Sequence, residues 1–95
     1  MNSLEALEYA KAIKNADWYY NYSDDYGAYS RGMASVNAVH KMIENREWNV
    51  EDVESVRHEI INILKIHNSG KEIEEKTYSY WNEKIDYLFR KVLEK

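Results

Sequence analysis

The chain has 95 residues, a formal net charge of −4 and no cysteine, which predicts one cytoplasmic domain over residues 1–95 and excludes disulfides, thiolate metal sites and a catalytic cysteine. Its charges are scattered and nowhere form a basic stripe, so we expect no direct binding to duplex nucleic acid. No stretch approaches the roughly 20 apolar residues needed to cross a bilayer, and residues 1–15 lack the basic start and apolar run of a signal peptide, so we expect no membrane contact.

The first predicted helix runs from Ser3 to about Tyr20. Asn2 followed by Glu5 matches a capping box, in which side chains at both positions bind free backbone amides at the start of a helix. Apolar residues then recur at helical spacing, at Leu4, Leu7, Ala10, Ile13 and Ala16.

A second helix is predicted from about Asp24 to Arg46. Ser23 can cap its first amides, and the carboxylates of Asp24 and Asp25 favour the positive end of the helix dipole. Steps of four and three residues give one apolar stripe, which we expect to face the core: Tyr22, Tyr26, Tyr29, Met33, Val36, His40 and Ile43.

Two further helices are predicted in the second half of the chain. Asn49 opens the third, with a buried side made of Val53, Val56, Ile60, Ile63, Leu64 and His67, and Gly70 closes it. The fourth runs from about Lys71 to Leu93, with a stripe of Ile73, Thr77, Trp81, Ile85, Leu88 and Val92 and surface pairs Lys71/Glu75, Glu72/Lys76 and Asp86/Arg90. The fold class is therefore all-α, a small antiparallel bundle of three to four helices.

Residues 17–32 hold six of the thirteen aromatic residues, and they are the candidate binding segment. In one interpretation its tyrosines only pack the start of the second helix. However, Trp18, Tyr19 and Tyr20 cannot all face one core, because successive helical residues are turned by about 100°. Exposed aromatics and an arginine are typical of protein interfaces. The candidate binding residues are Trp18, Tyr19, Tyr20, Asp24, Asp25, Tyr29 and Arg31.

The same residues allow a second interpretation, in which a nucleotide base stacks on tyrosine and Arg31 holds a phosphate. Arg31 stands among acidic residues, so this requires the fold to bring Lys11, Lys14 or Lys41 close to it. Protein binding is therefore the first hypothesis and a small nucleotide the alternative.

Catalysis and metal binding have little support in the sequence. There is no nucleophile elbow and no glycine-rich phosphate loop, and the serines and histidines show no catalytic arrangement. His40/Glu44 and Glu54/His58 could each supply two ligands on one helical face, whereas a metal site needs three or four. We expect no enzyme activity, no metal and no cofactor.

Three short runs, Trp18-Tyr19-Tyr20, Ser23-Asp24-Asp25 and Tyr29-Ser30-Arg31-Gly32, together resemble an element of small helical proteins encoded by phages and other mobile elements. The resemblance covers about fifteen residues and transfers no functional residue. It implies an accessory protein in a host cytosol that acts by stoichiometric binding. Such a protein could inhibit host defence, as anti-CRISPR proteins do, or sequester a cyclic nucleotide signal.

Self-association is a separate expectation. A four-helix domain of this size has a small interior, yet the last helix carries Tyr78, Tyr80, Trp81, Tyr87 and Phe89, which spread beyond one stripe. Some of them should lie in an interface between copies of the chain, as a dimer or higher homo-oligomer, where the alternative nucleotide pocket would also lie.

Overall fold

A computed structural model describes the backbone of residues 1–22 and 26–94, and the side chains of these residues outside 19–32. Over this part of the chain there are five helices and no strand, which confirms the all-α prediction. The helices are α1 (Ser3–Tyr22), α2 (Tyr26–Glu44), α3 (Val50–His67), α4 (Glu75–Leu88) and the one-turn α5 (Arg90–Leu93). Within the described ranges, no helix has both the length and the apolar character that a membrane crossing requires.

Helices α1 and α2 are antiparallel neighbours. The hydroxyl of Tyr9 donates to the carbonyl of Met42 at 3.3 Å, and Arg46 Nη1 lies 3.9 Å from Glu5 Oε2. The chain therefore reverses its direction between the two helices. The predicted cap at Ser23, Asp24 and Asp25 lies outside the described residues.

Helix α3 runs parallel to α1, and α4 returns antiparallel to both. The start of α3 lies beside the start of α1, where the Met1 amino group is 3.1 Å from Asp52 Oδ1. Arg57 on α3 binds Asn82 and Asp86 on α4, and Leu64, further along α3, lines a groove with Thr77, near the start of α4, so α4 runs opposite to α3. The four long helices thus alternate in direction, as predicted for an antiparallel bundle.

The predicted starts of α1 and α3 are confirmed. Asn2 Oδ1 accepts a hydrogen bond from Glu5 N at 2.9 Å. Asn49 and Asp52 form a full capping box, in which Asn49 Oδ1 accepts from Asp52 N at 2.8 Å and Asp52 Oδ2 accepts from Asn49 N at 3.3 Å. These bonds satisfy amides that have no partner inside the helix.

Asp52 also gathers positive charge at the start of α3. Arg46 Nη2 lies 3.4 Å from Asp52 Oδ2, and the carboxylate is 9% exposed. Burial acts to raise the pKa of Asp52. Hydrogen bonds from the Met1 amino group and Asn49 N, with the charges of that amino group and of Arg46, outweigh it and hold the pKa below its usual value.

Helix α3 ends in a left-handed turn made of two residues. Gly70 N donates to Lys65 O at 2.8 Å and Ser69 N donates to Ile66 O at 3.1 Å, which is the Schellman pattern. Ser69 has φ 58° and Gly70 has φ 80°. Gly70 was predicted to close the helix, and the structure adds that Ser69, a residue with a Cβ, adopts the same strained region.

One hydrophobic core joins the helices, and it corrects several predicted positions. Met33, His40 and His67 were predicted to face inward, yet all three are exposed. Among the α2 side chains that the structure describes, Val39 is the buried one, one position before His40, and it belongs to the same core as Ile13 and Ala16 of α1. The described core consists of Ala6, Ala10, Ile13, Ala16, Val39, Val53, Val56, Ile60, Trp81, Ile85 and Phe89.

The last helix differs most from its prediction. It begins at Glu75 instead of Lys71, so the pairs Lys71/Glu75 and Glu72/Lys76 do not share a helical turn. It is interrupted at Phe89, which is 1% exposed and packs 4.6 Å from the Trp48 ring. Asp86 binds Arg57 at 2.7 Å and not the predicted Arg90.

Candidate functional site

A groove lies between α1 and α4, over Leu64 of α3, and we call it the α1–α4 groove. It encloses about 640 Å³. Aromatic rings and lysines make up most of its lining: Lys14, Asp17, Trp18, Leu64, Lys76, Thr77, Tyr80 and Trp81.

A buried carboxylate fastens the two walls of this groove to each other. Asp17 on α1 accepts a hydrogen bond from the Tyr80 hydroxyl at 2.6 Å. Lys84, one turn further along α4, places Nζ 2.7 Å from the same Asp17 Oδ1, and the Asp17 side chain is only 7% exposed. Charge-assisted hydrogen bonds of this length are among the stronger polar contacts in proteins. They hold the Tyr80 ring in one position at the rim of the groove.

The aromatic residues of the groove differ in how much surface they offer. Trp81 is 6% exposed and forms the wall, with the Tyr80 ring edge-on to it at 5.4 Å. Trp18 is 56% exposed and Tyr80 is 43% exposed, so both still present ring surface to solvent. Such half-exposed rings, held by a rigid wall, are the surfaces from which binding hot spots are built.

Positive charge outweighs negative charge in the lining of the groove. The negative charge of Asp17 is compensated by Lys84. Lys14 Nζ lies 5.6 Å from the centroid of the Trp81 ring, a cation–π contact. Lys76 on the opposite wall is 87% exposed, and its contact to Glu74 is long, at 4.0 Å. The groove is therefore suited to an acidic ligand.

Only part of the predicted binding set lies in the described structure. Trp18 is exposed, as at least one of the three consecutive aromatics had to be. The side chains of Tyr19, Tyr20, Tyr29 and Arg31, together with Asp24 and Asp25, lie outside the described residues. Arg31 lies outside the described residues, so the condition that a lysine lies close to it stays a prediction. Lys14 and Trp18, one turn apart on α1, line the same groove, whereas Lys41 on α2 does not.

Sequence reasoning did not place Asp17, Lys76 and Tyr80 of the groove among the binding residues, nor Lys84, which binds Asp17. One signal was present, because Asp17 follows Ala10 and Ile13 at helical spacing and so carries a carboxylate into a buried stripe. Tyr80 and Lys84 also lie four residues apart, on one helical face. No local pattern shows that these two residues reach Asp17, 63 positions away in the case of Tyr80.

The predicted two-residue metal pairs have other surroundings. Glu54 binds Arg57 at 3.2 Å, and His58 and His40 are exposed. Burial acts to lower the pKa of Arg57, but Asp86 and Glu54 raise it overall and keep the guanidinium charged. Among the described residues, no three His, Cys, Asp or Glu side chains lie close enough to share a metal ion.

Comparisons with protein-family models, with curated proteins and with solved structures gave no match for this chain. Its function therefore has to be inferred from the groove.

Proposed function

We propose that the protein is a non-enzymatic binding protein that holds an acidic segment of a partner protein in the α1–α4 groove. One observation carries this proposal: the exposed rings of Trp18 and Tyr80 line the same groove as Lys14 and Lys76, and the groove's own carboxylate is already compensated. Aromatic side chains bury large areas with little loss of conformational freedom, so they are favoured at interfaces.

The preorganisation of the groove supports binding over a merely structural role for these rings. The Asp17 carboxylate fixes Tyr80 before a partner arrives, so less side-chain freedom is lost when a complex forms. Lys14 and Lys76 add attraction for a partner of opposite charge, which raises the rate of encounter and selects against basic partners.

More narrowly, we propose that the partner is a component of a host defence system. This narrower proposal is supported only by the resemblance of residues 18–32 to phage accessory proteins and by the stoichiometric mode of action that the resemblance implies. In this form the protein acts in the host cytosol as an inhibitor, for example of a CRISPR effector, and occupies the surface that the effector needs.

A random peptide library selected on the immobilised protein tests the proposal. We expect the selected peptides to combine Asp or Glu with Leu, Phe or Trp, because the groove is both basic and aromatic. Their affinity should fall by at least about tenfold, or roughly 1.4 kcal/mol, with Trp18→Ala and with Lys14→Glu. Lys41→Glu is the matched control, because it makes the same charge change outside the groove. Peptides without acidic residues, or equal losses with Lys14→Glu and Lys41→Glu, would contradict the proposal.

A nucleotide is the second candidate, and the size of the groove favours it. About 640 Å³ lies within the range of small-molecule sites, Trp18 could stack on a base, and Lys14 and Lys76 could bind phosphate. A panel of mono-, di- and cyclic nucleotides would then raise the melting temperature of the wild type by mass action. The Lys76→Glu variant should show no such rise. Absence of any shift across the panel would exclude this candidate.

A further inference from the structure

A second surface lies on the outer side of the parallel helices α1 and α3, and we call it the α1–α3 face. Its first half, beside the starts of both helices, is a depression of about 440 Å³ that includes Val50, Glu51, Glu54 and Glu59. Its second half, toward the ends of the same helices, is a depression of about 530 Å³ that includes Leu7, Lys11, Lys14, Trp18, Ile66 and His67.

The two halves of the α1–α3 face carry opposite charge. Three glutamates and one histidine, with no lysine or arginine, line the first half. Two lysines and a histidine, with no aspartate or glutamate, line the second half. This division arises from the fold, because the parallel packing of α1 and α3 places the acidic first turns of α3 at one end and the lysines of α1 at the other.

Exposed apolar side chains run along the same face. Val50 and Ile66 are 53% and 73% exposed, and Trp18 is 56% exposed. Leu4, 73% exposed, lies on the same side of α1 as Leu7 and Lys11, because the three are spaced by three and four residues. A helix pair with this much apolar surface between charged residues is typical of an interaction site.

We propose that the occupant of the α1–α3 face is a second copy of this chain, related by a two-fold axis that sets the helices of the two copies antiparallel. In a two-fold interface the same patch meets itself. The antiparallel arrangement lays the acidic half of each copy on the basic half of the other, so both ends attract at once. It also brings Trp18 and Ile66 of one copy over Leu4 and Val50 of the other.

The size of the face agrees with a reversible dimer. α1 is about 30 Å long at 1.5 Å per residue, and two packed helices with their side chains are about 20 Å wide. The projected face is therefore about 600 Å² per copy, somewhat below the ~800 Å² of a standard specific interface. We expect a dimer that dissociates on dilution and weakens at high salt. The inference does not depend on the occupant of the α1–α4 groove.

Sedimentation velocity across the micromolar range, with charge-reversed variants, tests the dimer. The wild type should move from 11.4 kDa toward twice this mass as its concentration rises. An all-acidic face, made by Lys11→Glu with Lys14→Glu, should leave the protein monomeric, because both halves then repel. A mainly basic face, made by Glu51→Lys with Glu59→Lys and keeping only Glu54 as an acid, should do the same. An equimolar mixture of the two variants should restore the dimer, which unfolded or damaged chains could not do.

Controls separate this face from other surfaces. Lys41→Glu lies on α2 and should dimerise like the wild type. If Lys11→Glu with Lys14→Glu loses its cooperative unfolding transition, Lys11→Glu alone replaces it, since Lys11 is exposed. A wild type that stays monomeric would overturn the proposal. So would a dimer that both variants keep, because it would have to use another surface, such as the exposed tyrosines of α4.

Discussion

The bond between Tyr80 and Asp17 offers the sharpest test of how α4 is held against α1. Tyr80→Phe removes the hydroxyl and leaves the ring, so the variant loses one hydrogen bond of 2.6 Å and little packing. Hydrogen bonds to charged groups contribute about 1.5–3 kcal/mol to stability. Tyr80 is 43% exposed, and Lys84 still compensates the carboxylate, so we expect the lower end, about 1.5 kcal/mol.

The expected loss of stability is large enough to measure, and to divide between the contacts of Asp17 with Tyr80 and with Lys84. A loss of about 1.5 kcal/mol corresponds to a fall of about 6–12 °C in melting temperature for a domain of this size. Asp17→Ala also leaves Lys84 without its carboxylate. Because the Lys84 side chain is 29% exposed and can turn toward water, we expect about 3 kcal/mol, the low end for breaking a buried pair. In the Asp17→Ala background, Tyr80→Phe should cost less than it does in the wild type, since the Asp17 acceptor is gone.

Urea and thermal unfolding followed by circular dichroism would measure these differences. Tyr78→Phe is the matched control: Tyr78 lies on the same helix, is 46% exposed and has no side-chain hydrogen bond with any described residue. Equal stability of Tyr80→Phe and Tyr78→Phe would refute the role given to the Asp17 carboxylate. Additive losses in the double variant Asp17→Ala with Tyr80→Phe would show that the hydroxyl acts through some other contact.

Three further predictions concern the scaffold. Because the native pKa of Asp52 lies below its usual value, its ionised form favours folding. This contribution is present above the unfolded pKa, near pH 4, and is lost as the pH falls through the native pKa. Urea midpoints should therefore show that Asp52→Asn is less stable than the wild type at pH 7, and that the difference in stability between the two proteins becomes smaller toward pH 3. Glu47→Gln, which changes an exposed acid, should have the stability of the wild type at both pH values. Phe89→Ala should cost about 3–5 kcal/mol in urea unfolding because the ring is 1% exposed, and Tyr87→Ala, at 62% exposure, should cost under about 1 kcal/mol. Ser69→Gly should add about 1 kcal/mol of stability and so raise the melting temperature, because φ 58° is strained for a residue with a Cβ. A lower melting temperature would mean that the turn is not strained at this position.

The sequence predicted best where local chemistry decides the structure. The capping box of Asn49 with Asp52 and the regular apolar spacing of Val53, Val56 and Ile60 place α3 almost without error. On α2, local chemistry was not enough, because steps of three then four residues and of four then three both give a helical stripe. The position of α1 decides that Val39 is buried and His40 is exposed. This depends on tertiary packing, which local spacing does not show.

The errors in α4 have the same origin. Phe89 ends α4 and packs beside Trp48, a residue from the loop between α2 and α3 whose indole nitrogen donates to Ile43 O at 2.8 Å. Likewise, Asp86 binds Arg57 on another helix, whereas Arg90, one turn away, contacts the Tyr87 ring. The rule that side chains three or four residues apart pair with each other describes an isolated helix. In the folded chain, contacts with residues from other helices replace these pairs.

The two proposed surfaces meet at α1, and this decides which variants can separate them. Trp18 and Lys14 line both the α1–α4 groove and the second half of the α1–α3 face. A change at either residue therefore alters both surfaces, and a loss of partner binding in Trp18→Ala could follow from a loss of the dimer. Lys76 lines only the groove and Ile66 only the face, among these two surfaces. Partner binding that falls with Lys76→Glu at unchanged mass, and a mass that falls with Ile66→Glu at unchanged partner binding, would establish the two surfaces as independent. If both variants change both properties, dimerisation and partner binding are linked through the shared ridge of α1.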